Sequence, residues 1–352
     1  MSGSDSETPV LVRPGDRLLT LILNRPLALN TLTLAMVRRL RKGLELALKE
    51  DRLQSALLLG AGERGFSAGG DLKALAAAVQ EKAWDQAEAF FREEYALDLF
   101  LNRYPKPVVV LADGISMGGG LGLAAEADLV IATERSRLAM PETRIGFFPD
   151  VGATGWLFQK CPPGYPEFLA LTGYEMAGAE GLRLGLATHL TGAARLPEVR
   201  RTLENLTDRL PPGRPAGAKF LAARLAPFFE DPPPARPEMD AWVAEHFADK
   251  ASLAEILASL NRCRRDHPLC AGVFQRLAER SPTALALTLR LLRLNQGRPL
   301  KETLAAEFKA ARFIIRHPDY LEGIRARILD KDDHPRWRPA SLDQVRLEGG
   351  LE

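Results

Sequence analysis

Short apolar runs alternating with helical stretches constrain this chain most. The runs are RLLTLILNRP, QSALLLG, KPVVVLADG, DLVIATE and RLAM. QSALLLG is apolar and too short for a helix, and Pro26 ends the first run, so these read as strands. Between them lie stretches with apolar residues at helical spacing. TLTLAMVRRLRKGLELALKE is the first, with Asn30 placed to cap it. A second covers Trp84 to Leu101, and ISMGGGLGLAAEA reads as a tight turn opening a helix. Strands alternating with helices argue for an α/β fold with crossover connections.

From about Pro162 the signals turn helical, in EFLALTG, AGAEGLRLG and EVRRTLENLTDRL. Two proline-rich joints, LPPGRPAG and FFEDPPPARPEM, bracket AKFLAARLAPFF and mark a change of region. Helical patterning then runs to about Asp330, and DDHPRWRPASLDQV reads as a loop. The expected division is 10–227 for the α/β core and 228–352 for a helical C-terminal region covering the active site.

Composition excludes several classes. With 352 residues, 46% apolar and 26% charged, the chain has the balance of a globular protein. A net charge of +2 gives no global electrostatic case for nucleic acid. No run approaches the ~20 apolar residues that span a bilayer. MSGSDSETPV lacks the apolar core of a signal peptide, so a cytoplasmic location is expected. The three cysteines, Cys161, Cys263 and Cys270, suggest a reducing compartment rather than a disulfide scaffold.

Glycine clusters carry the first chemical signal. GAGERG, Gly60 to Gly65, matches a dinucleotide loop in spelling, but two further glycines follow where a helix should open. It reads as a surface turn between strands. SAGGDL and SMGGGLG each follow a strand and open toward a helix. Glycine lets a backbone N–H approach a ligand without a Cβ in the way. Two such groups aimed at one point make an oxyanion hole. Close strand–helix packing would account for either cluster alone. Neither is a phosphate loop of the G-x-x-x-x-G-K type, and no serine sits in a G-x-S-x-G elbow.

The second signal is PETRIGFFPDVG, with Glu142 and Asp150 flanking an apolar segment. Carboxylates beside Ile145, Phe147 and Phe148 are costly to bury without a partner or a task. A pair of solvent-facing loop acids is the bland alternative. CRRDHPLC offers Cys263, His267 and Cys270, but a zinc site needs a fourth ligand and a more usual spacing. A helix end and loop with a half-buried thiol is expected there, and no metal is assigned. His189 is expected to be a structural or surface residue.

NRPLALN, FSAGGDL, KPVVVLADGISMGGGLGL and AMPETRIGFFPDVG, in this order, resemble the crotonase (enoyl-CoA hydratase/isomerase) superfamily over residues 15–190. FREEY, YPEFLALTG and the tail LEGIRARILDKDDHPRWRPASL extend the resemblance to its 3-hydroxyisobutyryl-CoA hydrolase branch. This implies a spiral of ββα units with helices folded over it, and a short branched 3-hydroxyacyl-CoA thioester as substrate, hydrolysed in valine breakdown. The implied oxyanion donors fall on Gly70 and Gly119. The implied catalytic acids fall on Glu142 and Asp150, and a substrate-contact glutamate on Glu94. Gly122 occupies the place of a hydratase's second glutamate, which argues against the alternative of enoyl-CoA hydration or isomerisation. A non-catalytic acyl-CoA-binding protein is the rival from another class. Leu27 stands where relatives carry Lys, which removes one CoA phosphate contact. No metal or redox cofactor, nucleic acid or membrane partner is implied. A homo-oligomer is, although the added helices would cover the usual contact surface.

Overall fold

The computed structural model describes residues 8–347. Ten strands form two sheets. β1 (Val10–Pro14), β2 (Leu18–Leu23), β3 (Ser55–Gly60), β5 (Val108–Ala112), β7 (Leu129–Ala132) and β10 (His189–Leu190) form the larger sheet in the order β1-β2-β3-β5-β7-β10. β4 (Gly65–Ser67), β6 (Ile115–Met117), β8 (Arg137–Ala139) and β9 (Met176–Ala177) form the smaller one in chain order. Only β1 runs antiparallel to its neighbour in the larger sheet; the pairs β2–β3, β3–β5, β5–β7 and β7–β10 are parallel. Parallel pairing requires long crossovers, and helices supply them. From β3 onward the chain repeatedly gives one strand to each sheet before a helix, as the ββα resemblance implies.

Burial explains the unbroken apolar runs. Every residue of β2 and β5 is buried. Leu57, Val109, Leu111 and Ile131 pack with Val199, Leu203, Leu221 and Leu225, which come from the helices Leu196–Glu204 and Arg214–Leu225. Burying one such side chain is worth ~1.5–3 kcal/mol, so this cluster fixes which face each helix presents.

The first long helix spans Leu34–Lys49, and its cap corrects the sequence reading. Thr33 accepts the hydrogen bond from the Met36 N–H at 3.3 Å. Asn30 lies before the turn with φ 54°. Its amide donates to the Ala61 and Gly65 carbonyls at 3.0 and 2.9 Å, while its Oδ1 accepts from the Arg25 N–H. A long-range tie between two loops thus claimed a side chain that local sequence marked as a cap.

Contacts divide the chain into two compact units, neither continuous in sequence. The first comprises the described residues up to Gly70 with Ala96–Leu138 and Met176–Pro234. The second comprises Asp71–Tyr95, Ala139–Glu175 and the described residues from Ala235 onward. Two earlier segments, Asp71–Tyr95 and Ala139–Glu175, thus group with the C-terminal helices.

Helices dominate the second unit beyond Ala235, as the periodicity predicts. One expectation is overturned there. Cys263 ends the helix Leu253–Cys263, and Cys270 sits in the first turn of Pro268–Ala278. The short turn between these helices brings the two Cα atoms to 6.0 Å, and the sulfurs are joined as a disulfide. The expected free thiol is Cys161 instead. No helix among the described residues is long and apolar enough to cross a membrane.

Candidate active site

The sequence-predicted residues divide between the units. Gly70 and Gly119 belong to the first, and Glu94, Glu142 and Asp150 to the second.

In the first unit the two glycine clusters meet. Gly70 bridges to Leu32, and Gly119 opens the helix Gly119–Ala125 directly after β6. Gly69 has φ +88°, and a Cβ on it would lie 3.0 Å from the Met117 carbonyl oxygen and 3.2 Å from the Gly119 nitrogen. Any other residue would therefore drive the two loops apart. Ser67, fully buried, braces the turn: its hydroxyl donates to the Asn30 carbonyl at 2.9 Å and accepts from the Gly69 N–H at 3.2 Å. It is a structural serine, not a nucleophile. Gly122 is buried inside the same helix and presents no side chain. Leu27, at the place where the family resemblance implies Lys, is 95% exposed.

The second unit gathers acids. Glu142 begins the 3-10 turn Glu142–Ile145, which is held by Thr143 donating to the Leu171 carbonyl and by Phe147 N–H donating to the Glu142 carbonyl. Glu142 is 7% exposed, Asp150 6% and Glu94 2%. The bland reading of two solvent-facing loop acids is thus excluded. One oxygen of Glu142 and one of Glu94 are buried with no hydrogen-bond partner. Rings form the surrounding wall: Phe147 stacks on Phe91 and Phe148, with centroids at 5.4 and 4.5 Å, and Tyr320 lies 5.6 Å from Phe147.

Three residues of this cluster were not legible as site residues. Tyr95, the last letter of FREEY, donates its hydroxyl to Asp150 Oδ2 at 2.8 Å. Tyr320 is buried with its hydroxyl unpartnered. Glu307, fully buried, accepts from the Gly152 N–H at 2.6 Å, from the Thr154 N–H at 3.2 Å and from the Thr154 hydroxyl at 2.5 Å. It thereby clamps a turn in which Val151 and Gly152 take φ +52° and +83°. Left-handed backbone at a β-branched valine is strained, so an external clamp is needed. The signal for Glu307 existed: it shares the buried face of its helix with Thr303, Leu304, Ala310 and Ile314.

Burial sets the electrostatics first. Desolvation raises all four acids, and their charges push on one another. Glu142 is raised well above the carboxylate range, first by burial and then by the charges of Asp150, Glu94 and Glu307. Glu94 is raised by burial and by Asp150. Glu307 is pushed up to about 8, chiefly by burial. Asp150 is pushed up to about 7 by burial, with the Tyr95 hydrogen bond and its own backbone N–H pulling back. Asp150 alone of these four acids has a tyrosine hydroxyl bonded to it, a contact that favours its ionised form. Two carboxyls with separated proton affinities are what paired acid and base chemistry needs.

Comparison with known proteins gives the family. The enoyl-CoA hydratase/isomerase family matches residues 18–349. The mitochondrial 3-hydroxyisobutyryl-CoA hydrolase of Gallus gallus is 34% identical, over 98% of this chain and 88% of the relative. That of Homo sapiens is 34% identical over 93% and 83%. Among solved structures, a carnitinyl-CoA dehydratase from Mycobacterium thermoresistibile superposes with a TM-score of 0.87 at 34% identity, covering 98% of this chain and 96% of its own. An enoyl-CoA hydratase from Rhodobacter sphaeroides gives 0.85 at 34% identity, covering 98% and 97%. With the two strand-end glycine loops, the ββα order and near full-length identity to those hydrolases, the chain belongs to the enoyl-CoA hydratase/isomerase (crotonase) family, on its 3-hydroxyisobutyryl-CoA hydrolase branch.

Proposed function

We propose that this protein is an acyl-CoA thioester hydrolase acting on a short branched 3-hydroxyacyl-CoA, with 3-hydroxyisobutyryl-CoA the best candidate and valine breakdown its setting. The observation that carries this is the buried acid group, in which the Tyr95 hydroxyl is bonded to Asp150 while one oxygen each of Glu142 and Glu94 has no hydrogen-bond partner. In this reading Asp150 takes a proton from water as the water oxygen bonds to the thioester carbon. The backbone N–H groups of Gly70 and Gly119 hold the resulting oxyanion. Collapse breaks the C–S bond, and the leaving thiolate takes the proton of Glu142. Proton exchange among the acids restores the starting state, and the products are the free acid and CoA. Glu94 accepts the substrate 3-hydroxyl. No metal or redox cofactor takes part in this chemistry, and a cytoplasmic location belongs to the same proposal.

The second reading is hydration of an enoyl-CoA, favoured by the likeness to the enoyl-CoA hydratase of Rhodobacter sphaeroides. Gly122 speaks against it, since it has no side chain to hold the water as a second acid would. A non-catalytic acyl-CoA binder would need no acids with separated proton affinities. A thiol-release assay over a panel of acyl-CoAs, run beside a hydration assay on crotonyl-CoA, separates the three. CoA release from 3-hydroxyisobutyryl-CoA with kcat/KM at least ~10-fold above isobutyryl-CoA supports the proposal, because an unpaired buried carboxylate costs the analogue ~1–3 kcal/mol. Hydration as fast as hydrolysis would reverse the first two readings, and binding without turnover would favour the third.

A further inference from the structure

The second unit holds a cluster outside the chemistry above. Three consecutive helices contribute to it: Pro237–Phe247, Leu253–Cys263 and Pro268–Ala278. His246, from the first helix, is 4% exposed. Its Nδ1 lies 2.7 Å from the hydroxyl of Ser259 on the second helix. Its Nε2 lies 3.8 Å from the sulfur of Cys263 and 3.8 Å from that of Cys270. Cys270 is fully buried and Cys263 half-buried. The sulfurs and a ring nitrogen thus share one point, with all ligand atoms within 4.8 Å of one another. His267, the histidine adjacent in sequence, is not a member.

We infer that the reduced protein holds one zinc ion, or a divalent ion of similar softness, on Cys263 Sγ, Cys270 Sγ and His246 Nε2. Two thiolates and an imidazole suit zinc, and the fourth position of the tetrahedron is left to water or another small ligand. The spacing fits. Zn–S near ~2.3 Å and Zn–N near ~2.0–2.1 Å give a tetrahedral S···N edge of ~3.6 Å, close to the 3.8 Å found on both sides. Ser259 supplies the outer contact that fixes a ligating histidine: with the Nδ1 proton donated to its hydroxyl, the Nε2 lone pair faces the sulfurs. Trp242 lies over the site, its indole N–H donating to Cys270 Sγ at 3.3 Å.

The disulfide makes the site conditional on redox state. Two equivalents of a thiol reductant cleave the S–S bond, leaving two cysteine thiols and the reductant's disulfide. Zinc then displaces both thiol protons to form two Zn–S bonds. In the oxidised protein the sulfur electron pairs and spacing are committed to each other, and no ion binds. The two states tie the same helices together by different bonds. This inference is independent of the thioester chemistry.

The test uses the full chain, reduced with a phosphine, desalted without air and titrated with cobalt(II). The expected result is one cobalt per chain, with thiolate-to-cobalt charge-transfer and tetrahedral ligand-field bands that zinc displaces. Untreated, disulfide-bonded protein should show neither. His246→Gln should weaken binding at least tenfold, and Ser259→Ala ~10–100-fold. A Cys263→Ser, Cys270→Ser double variant should abolish the charge-transfer band. Equal cobalt binding by reduced and oxidised wild type, or no cobalt bound by the reduced chain, would overturn the inference, and this comparison requires no variant to fold. Unchanged affinity in His246→Gln would remove the histidine from the site and overturn it as stated.

Discussion

Asp150→Asn should inactivate the protein and, at pH 8, stabilise it. Burial raises Asp150 from an ordinary 3.8 to about 7. The folded state therefore binds more protons than the unfolded one between those values, and stability falls as pH rises through that window. At ~1.4 kcal/mol per pKa step, the accumulated loss above pH 7 is roughly 4 kcal/mol. Asparagine has nearly the same shape and no charge to desolvate. The charge-assisted hydrogen bond from Tyr95 is already included in the shift to about 7, so its loss needs no separate subtraction. The variant should thus exceed wild type by roughly 4 kcal/mol at pH 8 and match it within about 1 kcal/mol near pH 4, where the folded-state residue is neutral in both. Urea unfolding at the two pH values reads the difference, with CoA release measured in parallel. A variant less stable than wild type at pH 8, or a gain equal at both pH values, would refute the argument that an uncompensated buried charge is stored at Asp150.

Further outcomes follow from the same geometry. Tyr95→Phe removes the hydrogen bond that lowers Asp150, so the rising limb of the pH–rate profile should move up by roughly one to two pH units; an unmoved limb would take Asp150 out of the base role. Glu142→Gln should lower kcat by ~10²-fold or more while ligand binding persists, as calorimetry with a substrate analogue would show. Gly119→Pro deletes one N–H and should lower kcat without restoring any hydratase activity, with circular dichroism confirming the fold. Glu307→Ala leaves the Gly152 and Thr154 N–H groups unpaired in the interior and should cost ~3 kcal/mol or more in unfolding free energy, with faster amide exchange over residues 150–154.

Much of the architecture was legible because it rests on local periodicity. The strands at Leu18, Ser55, Val108 and Leu129 and the helix from Trp84 announce themselves by what they must bury. The acids Glu142 and Asp150, proposed to be catalytic, were visible as charges in an apolar run, and the glycine clusters as positions where only a missing Cβ lets loops approach. Tertiary structure decided what happens to those charges. Nothing local says that Tyr95 reaches Asp150 across 55 residues, or that Glu307 clamps the turn at Gly152 from 155 residues away. Asn30 looked like a helix cap and became a tie between loops; His267 is the histidine of CRRDHPLC, but the ring that lies against both sulfurs is that of His246, from another helix. The sequence determined which groups are costly to bury and which backbone can bend to meet them. Only the folded chain determined their partners, because a side chain's proton affinity and ligands depend on distances that no neighbour in sequence sets.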